Sequence, residues 1–268
     1  MLEGKTIGII GVGNMGEAIV RGLKNRGAEG TIIYDVRAAR REYVHNTYGV
    51  KVAADNYDLA EKADIIIVAV KPQDAKTVLE ELCPSMSASK LLISIAAGIS
   101  TEGLCSFLGA ETRLIRVMPN VAAMVLESAT ALSRGSNASE EDLEVAREIF
   151  DTFGRTVVLP EALMDAVTGL SGSGPAYVAI FVEALADGGV QMGLPRKEAM
   201  ELAIQTVLGT ARLLLDLGEH PGVLKDKVTS PGGTTIAGIA SLEERGFRGA
   251  VIQAVRSATR RSEELGKL

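Results

Sequence analysis

Tryptophan is absent from this 268-residue chain, and aromatic residues make up only 4% of it. The core must therefore come from Ala, Val, Ile and Leu, which a chain that is 47% hydrophobic supplies in quantity for a compact globular fold. Cysteine is scarce too: Cys83 and Cys105 have no CxxC spacing, which excludes a disulfide framework and points to a reducing cytoplasm. His45 and His220 are too sparse and too far apart for a zinc cluster, so no metal is expected. Cations are in deficit, with 28 Lys and Arg against 34 Asp and Glu, and the net charge of -6 leaves no footprint for nucleic acid. No apolar run reaches the roughly 18 residues of a membrane span, since Ile65–Val70 and Leu91–Ala97 stop at Lys71 and Gly98. Met1-Leu2-Glu3-Gly4-Lys5 passes straight into a strand-like segment, without the regions of a signal peptide.

What is present alternates. Residues 5–10 read as a buried strand, a glycine turn follows, and Glu17–Arg26 reads as a helix closed by Gly27. Strand patterns recur at 31–35, 51–53, 64–70, 91–95, 114–118, 128–133 and 155–159, with helical patterns at 38–46, 75–82, 101–108 and 140–150. Unbroken apolar strands alternating with helices predict an α/β fold with a doubly wound parallel sheet. From Glu161 only helical periodicity remains, clearest where Met200, Ile204, Val207, Leu208, Ala211 and Leu215 share one face of a helix ended by Gly218. The shift at Pro160 divides the chain into 1–160 and 161–268. The second part is rich in Ala and Gly and lacks aromatic bulk, so pairing with another subunit is expected to complete its core.

Gly11-Val12-Gly13-Asn14-Met15-Gly16 fits the G-x-G-x-x-G pattern between a strand and a helix, the context in which it holds a dinucleotide pyrophosphate. Asp35, at the end of the second strand, could bond an adenosine ribose hydroxyl and favour NAD. Arg37, Arg40 and Arg41 could instead surround a ribose 2′-phosphate and favour NADP, with Asp35 turned outward or paired to one of them. Ligands lie beyond the carboxyl ends of the strands, so Val70-Lys71-Pro72 and Met118-Pro119-Asn120 should border the same cofactor. A second anion site is expected at Ser230-Pro231-Gly232-Gly233-Thr234-Thr235, ahead of a helix over 236–244. Glycines and a hydroxyl there present free N–H groups to a small carboxylate.

With Val167-Thr168-Gly169-Leu170-Ser171-Gly172-Ser173-Gly174-Pro175-Ala176-Tyr177, Arg116-Val117-Met118-Pro119-Asn120 and His220-Pro221-Gly222, these blocks give a chain that resembles the pyrroline-5-carboxylate reductase family along essentially its whole length. The resemblance implies a Rossmann-type sheet domain followed by an all-helical dimerisation domain, assembled as a homodimer or a decamer built from dimers, with the active site between nucleotide and helical domains. It implies hydride transfer from NADPH, with NADH as second candidate, to the C=N carbon of 1-pyrroline-5-carboxylate, giving L-proline in the last step of proline biosynthesis. Carried onto this chain, it puts the pyrophosphate on Gly11–Gly16, the adenosine side near Arg37 and Asn56, and the nicotinamide near Ala69, Val70, Lys71, Pro72, Met118 and Asn120. The substrate carboxylate falls on Ser230, Gly232, Gly233, Thr234 and Thr235, with the Thr235 hydroxyl near the ring nitrogen as the catalytic candidate. Family members that prefer NADPH often carry Ser or Asn where this chain has Asp35.

A β-hydroxyacid dehydrogenase also joins a Rossmann domain to a helical one, and such enzymes carry a Lys a few residues into the helix after a glycine-rich turn. Here Gly172-Ser173-Gly174 is followed by no Lys before Lys197.

Overall fold

The computed structural model describes residues 2–109 and 111–266. The chain divides into two compact units, Met1–Ser173 together with Ser257–Leu268, and Gly174–Arg256.

The first unit holds strands β1 (Ile7–Ile10), β2 (Thr31–Tyr34), β3 (Lys51–Val52), β4 (Ile65–Val68), β5 (Leu91–Ser94), β6 (Arg113–Met118), β7 (Ser128–Arg134) and β8 (Gly154–Val158). Its helices are α1 (Asn14–Asn25), α2 (Ala38–Tyr48), α3 (Asn56–Lys62), α4 (Pro72–Leu82), α5 (Thr101–Leu108), α6 (Glu140–Phe150) and the short α7 (Met164–Val167). The strands form one sheet in the order β3-β2-β1-β4-β5-β6-β7-β8. Ile7 is in register with Thr31 on one side and Ile65 on the other, so the winding direction reverses between β1 and β4, where doubly wound folds open a crevice. All pairings are parallel except β6 with β7. Strand direction is set by tertiary contacts, and the alternating residues of Ser128–Arg134 serve either direction equally well.

Strand periodicity explains how both faces are covered. Ile7, Ile9, Ile65, Ile67, Leu91 and Ile93 pack with Ile19, Val20 and Leu23 of α1 and Ile149 and Phe150 of α6. The intervening Ile10, Ile66, Val68 and Leu92 pack with Leu59 of α3, Leu79 and Leu82 of α4 and Leu104 of α5. Gly8 is needed on that second face, because a Cβ there would stand 2.4 Å from Leu59 Cδ2. Helix α3 carries no clear signal in the sequence, since its seven residues show too little periodicity, although Asp55, whose side chain accepts from Asp58 N, is an ordinary amino-terminal cap.

After α7 the chain makes a π-helical turn over Thr168–Gly172. The second unit then contains α8 (Gly174–Gln191), α9 (Arg196–Leu217), α10 (Pro221–Lys227), α11 (Thr234–Glu244) and the first half of α12 (Phe247–Leu265). From Ser257 onward α12 counts with the sheet unit, where Ser262 Oγ lies 2.6 Å from Asp165 Oδ1. Helices α8 and α9 meet through Ala186, Ala199 and Ala203, and Gly189 permits the approach, since a Cβ on it would lie 3.2 Å from that of Ala199. The large apolar face expected on α9 points elsewhere: Ile204, Leu208 and Leu215 are all exposed. Gly218, at φ 64°, ends the helix in the left-handed conformation, as expected.

Candidate active site

Strand β1 ends in the glycine loop. Gly11 has φ +86°, and a Cβ on it would lie 2.8 Å from Ala69 O, so β4 runs close alongside. A Cβ on Gly16 would stand 2.0 Å from Gly11 O, which only glycine avoids. Gly13 caps α1 without a side-chain hydrogen bond, so the first amides of the helix, which begins three residues earlier than its apolar periodicity suggests, keep their donors for a ligand.

Beyond the strand ends lies a cleft of about 790 Å³, within the roughly 300 to 1,000 Å³ typical of ligand sites. Its walls bring together Gly11, Gly13, Asn14 and Met15 of the loop, Arg37 after β2, Asn56 on α3, Ala69 to Pro72 after β4, and Met118 after β6. Val12, Gly16 and Asn120 do not line it. Val12 is fully buried and its N–H donates to Asp35 Oδ2 at 3.0 Å. Ile95 and Ala97, beyond β5, and Thr77 and Glu81 on α4 line the cleft as well. The rule that ligands sit past strand ends could have found the first two, whereas α4's contribution is tertiary.

The three arginines separate by role. Arg40 donates to Val12 O and pairs with Glu17, whose other oxygen accepts from Tyr48 at 2.8 Å. Burial pushes the Glu17 carboxyl up, but Arg40 and Tyr48 outweigh it and hold it below its usual range, while burial and Glu17 push the Tyr48 hydroxyl up to about 12. Arg41 donates to Asp35 O and lies over the Tyr34 ring, 5.1 Å from its centroid. Arg37 is the exposed one, paired bidentately with Asp35. Burial raises the Asp35 carboxyl, yet bonds from Arg37 and Val12 more than compensate and leave it lowered.

The residues fit a dinucleotide. The open amides of α1 suit a pyrophosphate. On the cleft wall, Asn56 donates to Glu81 at 2.6 Å while its Oδ1 is buried without a partner, an arrangement costing about 1 to 3 kcal/mol unless a ligand supplies a donor.

Asn120 is a strut. Its Nδ2 donates to Ser171 O at 3.0 Å, and its Oδ1 accepts from Ala122 N at 3.2 Å and Ala129 N at 3.3 Å. The π-helical turn is thereby fixed to the end of β6, with Gly172 so close to Met118 that a Cβ would lie 2.9 Å from Met118 Cε.

In the second unit, the loop before α11 has Gly232 at φ +66° and Gly233 as a cap with no side-chain bond. A Cβ on Gly233 would stand 2.3 Å from Ser230 Oγ, and Gly233 N donates to Ser230 O at 3.1 Å. Ser230, Thr234 and Thr235 thus lie at a helix amino terminus whose first amides are left without a side-chain cap, the kind of end that suits an anion. Both histidines are locally engaged: His220 Nδ1 accepts from Gly222 N and caps α10, and His45 Nδ1 lies 2.7 Å from Val50 O. Among the described residues no group of three or more His, Cys, Asp or Glu could hold a metal ion, and no helix is long and apolar enough to cross a membrane.

The fold and the cleft define an NAD(P)-dependent oxidoreductase of Rossmann type carrying an additional helical region. Comparison with known proteins narrows the class. Residues 161–265 match the model of pyrroline-5-carboxylate reductase dimerisation, and residues 6–98 that of NADP oxidoreductase, coenzyme F420-dependent. A pyrroline-5-carboxylate reductase of Methanosarcina acetivorans is 48% identical over 99% of this chain and 100% of its own length. The structure of such a reductase from Coxiella burnetii superposes with a TM-score of 0.94 at 34% identity, covering 97% of this chain and 98% of that one. That of Plasmodium falciparum pyrroline carboxylate reductase with NADP bound gives 0.85 at 33%, covering 98% and 99%. The chain belongs to the pyrroline-5-carboxylate reductase family.

Proposed function

We propose that this chain reduces 1-pyrroline-5-carboxylate to L-proline, the last step of proline biosynthesis, with NADPH as coenzyme and NADH as an alternative. The observation that supports the reading is that, in a chain of this family, two separate helix amino termini are each capped by a glycine without a side-chain bond, which leaves their amides open. One suits a dinucleotide pyrophosphate and the other a small carboxylate.

In this reading residues 1–160 form the nucleotide domain and 161–268 the substrate and dimerisation domain. Gly11 to Gly16 hold the pyrophosphate, Arg37 and Asn56 the adenosine side, and Ala69 to Pro72 with Met118 the nicotinamide; Asn120 acts behind Met118. Bound reduced dinucleotide supplies the hydride for the C=N carbon. Ser230, Gly232, Gly233 and Thr234 hold the carboxylate through N–H and hydroxyl donors, which fixes the ring and lowers the entropic barrier. Thr235 orients the protonated ring nitrogen through its hydroxyl, a role a weak acid can fill because the iminium already carries the proton.

The assembly is a homodimer, or a decamer built from dimers, and the two free thiols suit a cytoplasmic setting. The test is absorbance at the reduced-nicotinamide band with substrate and excess chelator. Turnover is expected, and folded protein inactive with both coenzymes overturns the reading. Thr235→Ala should cost about 1 to 3 kcal/mol in kcat/KM while coenzyme affinity holds.

A further inference from the structure

We infer that Arg37 competes inside the free protein with NADH for Asp35, so that this ion pair sets the coenzyme preference of the chain. The inference rests on the cleft being a dinucleotide site.

In such sites an acidic residue at the end of the second strand holds the two ribose hydroxyls of NAD. Asp35 occupies that position, but its acceptors are already taken. Oδ1 accepts from Arg37 N at 3.0 Å and Arg37 Nε at 3.1 Å, and Oδ2 accepts from Val12 N at 3.0 Å and Arg37 Nη2 at 3.2 Å. A carboxylate offers about four lone-pair sites, and four donors fill them.

A ribose with both hydroxyls free therefore finds no acceptor unless a donor leaves. The two backbone N–H groups belong to the glycine loop and the turn after β2, so the guanidinium is the donor that can go. A 2′-phosphate has no need of Asp35. The bidentate pair leaves Arg37 about three unspent N–H groups on a side chain that is 63% exposed, and its Nη2 sits 3.8 Å from where a Cβ of Gly13 would be, beside the phosphate-binding loop. Arg40 and Arg41 are engaged elsewhere, so neither substitutes for it. The acidic residue that would select NAD is thus held in reserve by its own neighbour.

Arg37→Ala is a sharp test, because alanine keeps the backbone N–H at position 37. Asp35 would stay oriented by that group and by Val12 while losing only the competing guanidinium. Calorimetric titration without substrate, using NAD+, NADP+, AMP and 2′-AMP as probes, reads the outcome directly. In Arg37→Ala, NAD+ and AMP should bind about two- to fivefold more tightly, the scale of an exposed ion pair removed from competition. NADP+ and 2′-AMP should bind about ten- to a hundredfold more weakly, as for a lost charged partner. Adding Asp35→Asn should abolish the NAD+ gain. Unchanged or weaker NAD+ binding in Arg37→Ala, or a gain that survives in the double variant, overturns the inference. Wild-type protein that binds neither dinucleotide overturns the reading of the cleft, and the inference with it.

Discussion

The sheet unit and the helical unit spend their apolar residues in opposite ways. In the first, Ile9, Ile66, Ile67, Leu92 and Phe150 are fully buried in layers on both faces of the sheet. Within Gly174–Arg256 the buried residues are Ala186, Ala199, Ala203 and Leu224, while Ile180, Leu202, Ile204, Leu208 and Ile252 are more than half exposed. Burying one such side chain contributes roughly 1.5 to 3 kcal/mol, so the sheet unit carries its own stability and the helical unit leaves most of its potential unused in a single chain. So many exposed large apolar side chains in one unit point to a surface that a partner covers. Its match to the family's dimerisation model agrees with that.

The largest effect should come from breaking this contrast. Ile204→Asp combined with Leu208→Asp alters residues that are 51% and 59% exposed in the single chain, where surface changes are usually worth within about 0.5 kcal/mol. If the face is covered in the assembly, sedimentation should show monomers and activity should fall by more than about tenfold, with dinucleotide binding by the sheet unit retained. An unchanged oligomer would mean that the face is solvated after all.

An intermediate effect sharpens the picture of the sheet unit as internally satisfied. Asn120→Asp keeps an acceptor for Ala122 and Ala129 but removes the donor to Ser171 O. Loss of this partly buried bond, about 1 to 3 kcal/mol, should appear as a roughly ten- to hundredfold drop in kcat with little change in coenzyme Kd. A raised coenzyme Kd at unchanged kcat would instead make Asn120 a direct ligand.

The smallest effect separates the units by pH. Burial raises the Asp142 carboxyl, but Arg113 and the Ser139 bonds win and hold it low, and Thr101 and Arg116 do the same for Glu161. Both residues belong to the sheet unit. Groups lowered on folding stabilise above their unfolded values, near 3.9 for Asp and 4.3 for Glu, and that contribution is lost as pH falls through the lower folded values. Hydrogen exchange below about pH 4 should therefore show β5 to β7 losing protection, less steeply in Asp142→Asn. Equal acid sensitivity in that variant would remove Asp142 from the account.

The sheet was readable because runs such as Ile65–Val68 have one place to go, and the glycine loop because its glycines sit between strand and helix. Side-chain commitments were not. The sequence places Asp35 at the end of a strand, yet whether it faces a ribose or an arginine depends on the positions of Val12 and Arg37. Asn120 stands in a motif that borders the cofactor, and its inward turn toward Ser171 joins residues 51 apart in the chain. The face of α9 that meets α8 is its small-residue stripe, which periodicity of large apolar residues cannot reveal.

The return of α12 to the first unit has a consequence for synthesis. After Ser173, a further 89 residues must be made before the chain includes Ser262, whose hydroxyl meets Asp165. At about 5 to 20 residues per second, a ribosome needs roughly 4 to 18 s to make them. Throughout that interval the nascent sheet unit has its β-strands but lacks its last helical segment, a window in which a chaperone, or a neighbouring nascent chain, can reach Asp165 before the protein's own Ser262 does.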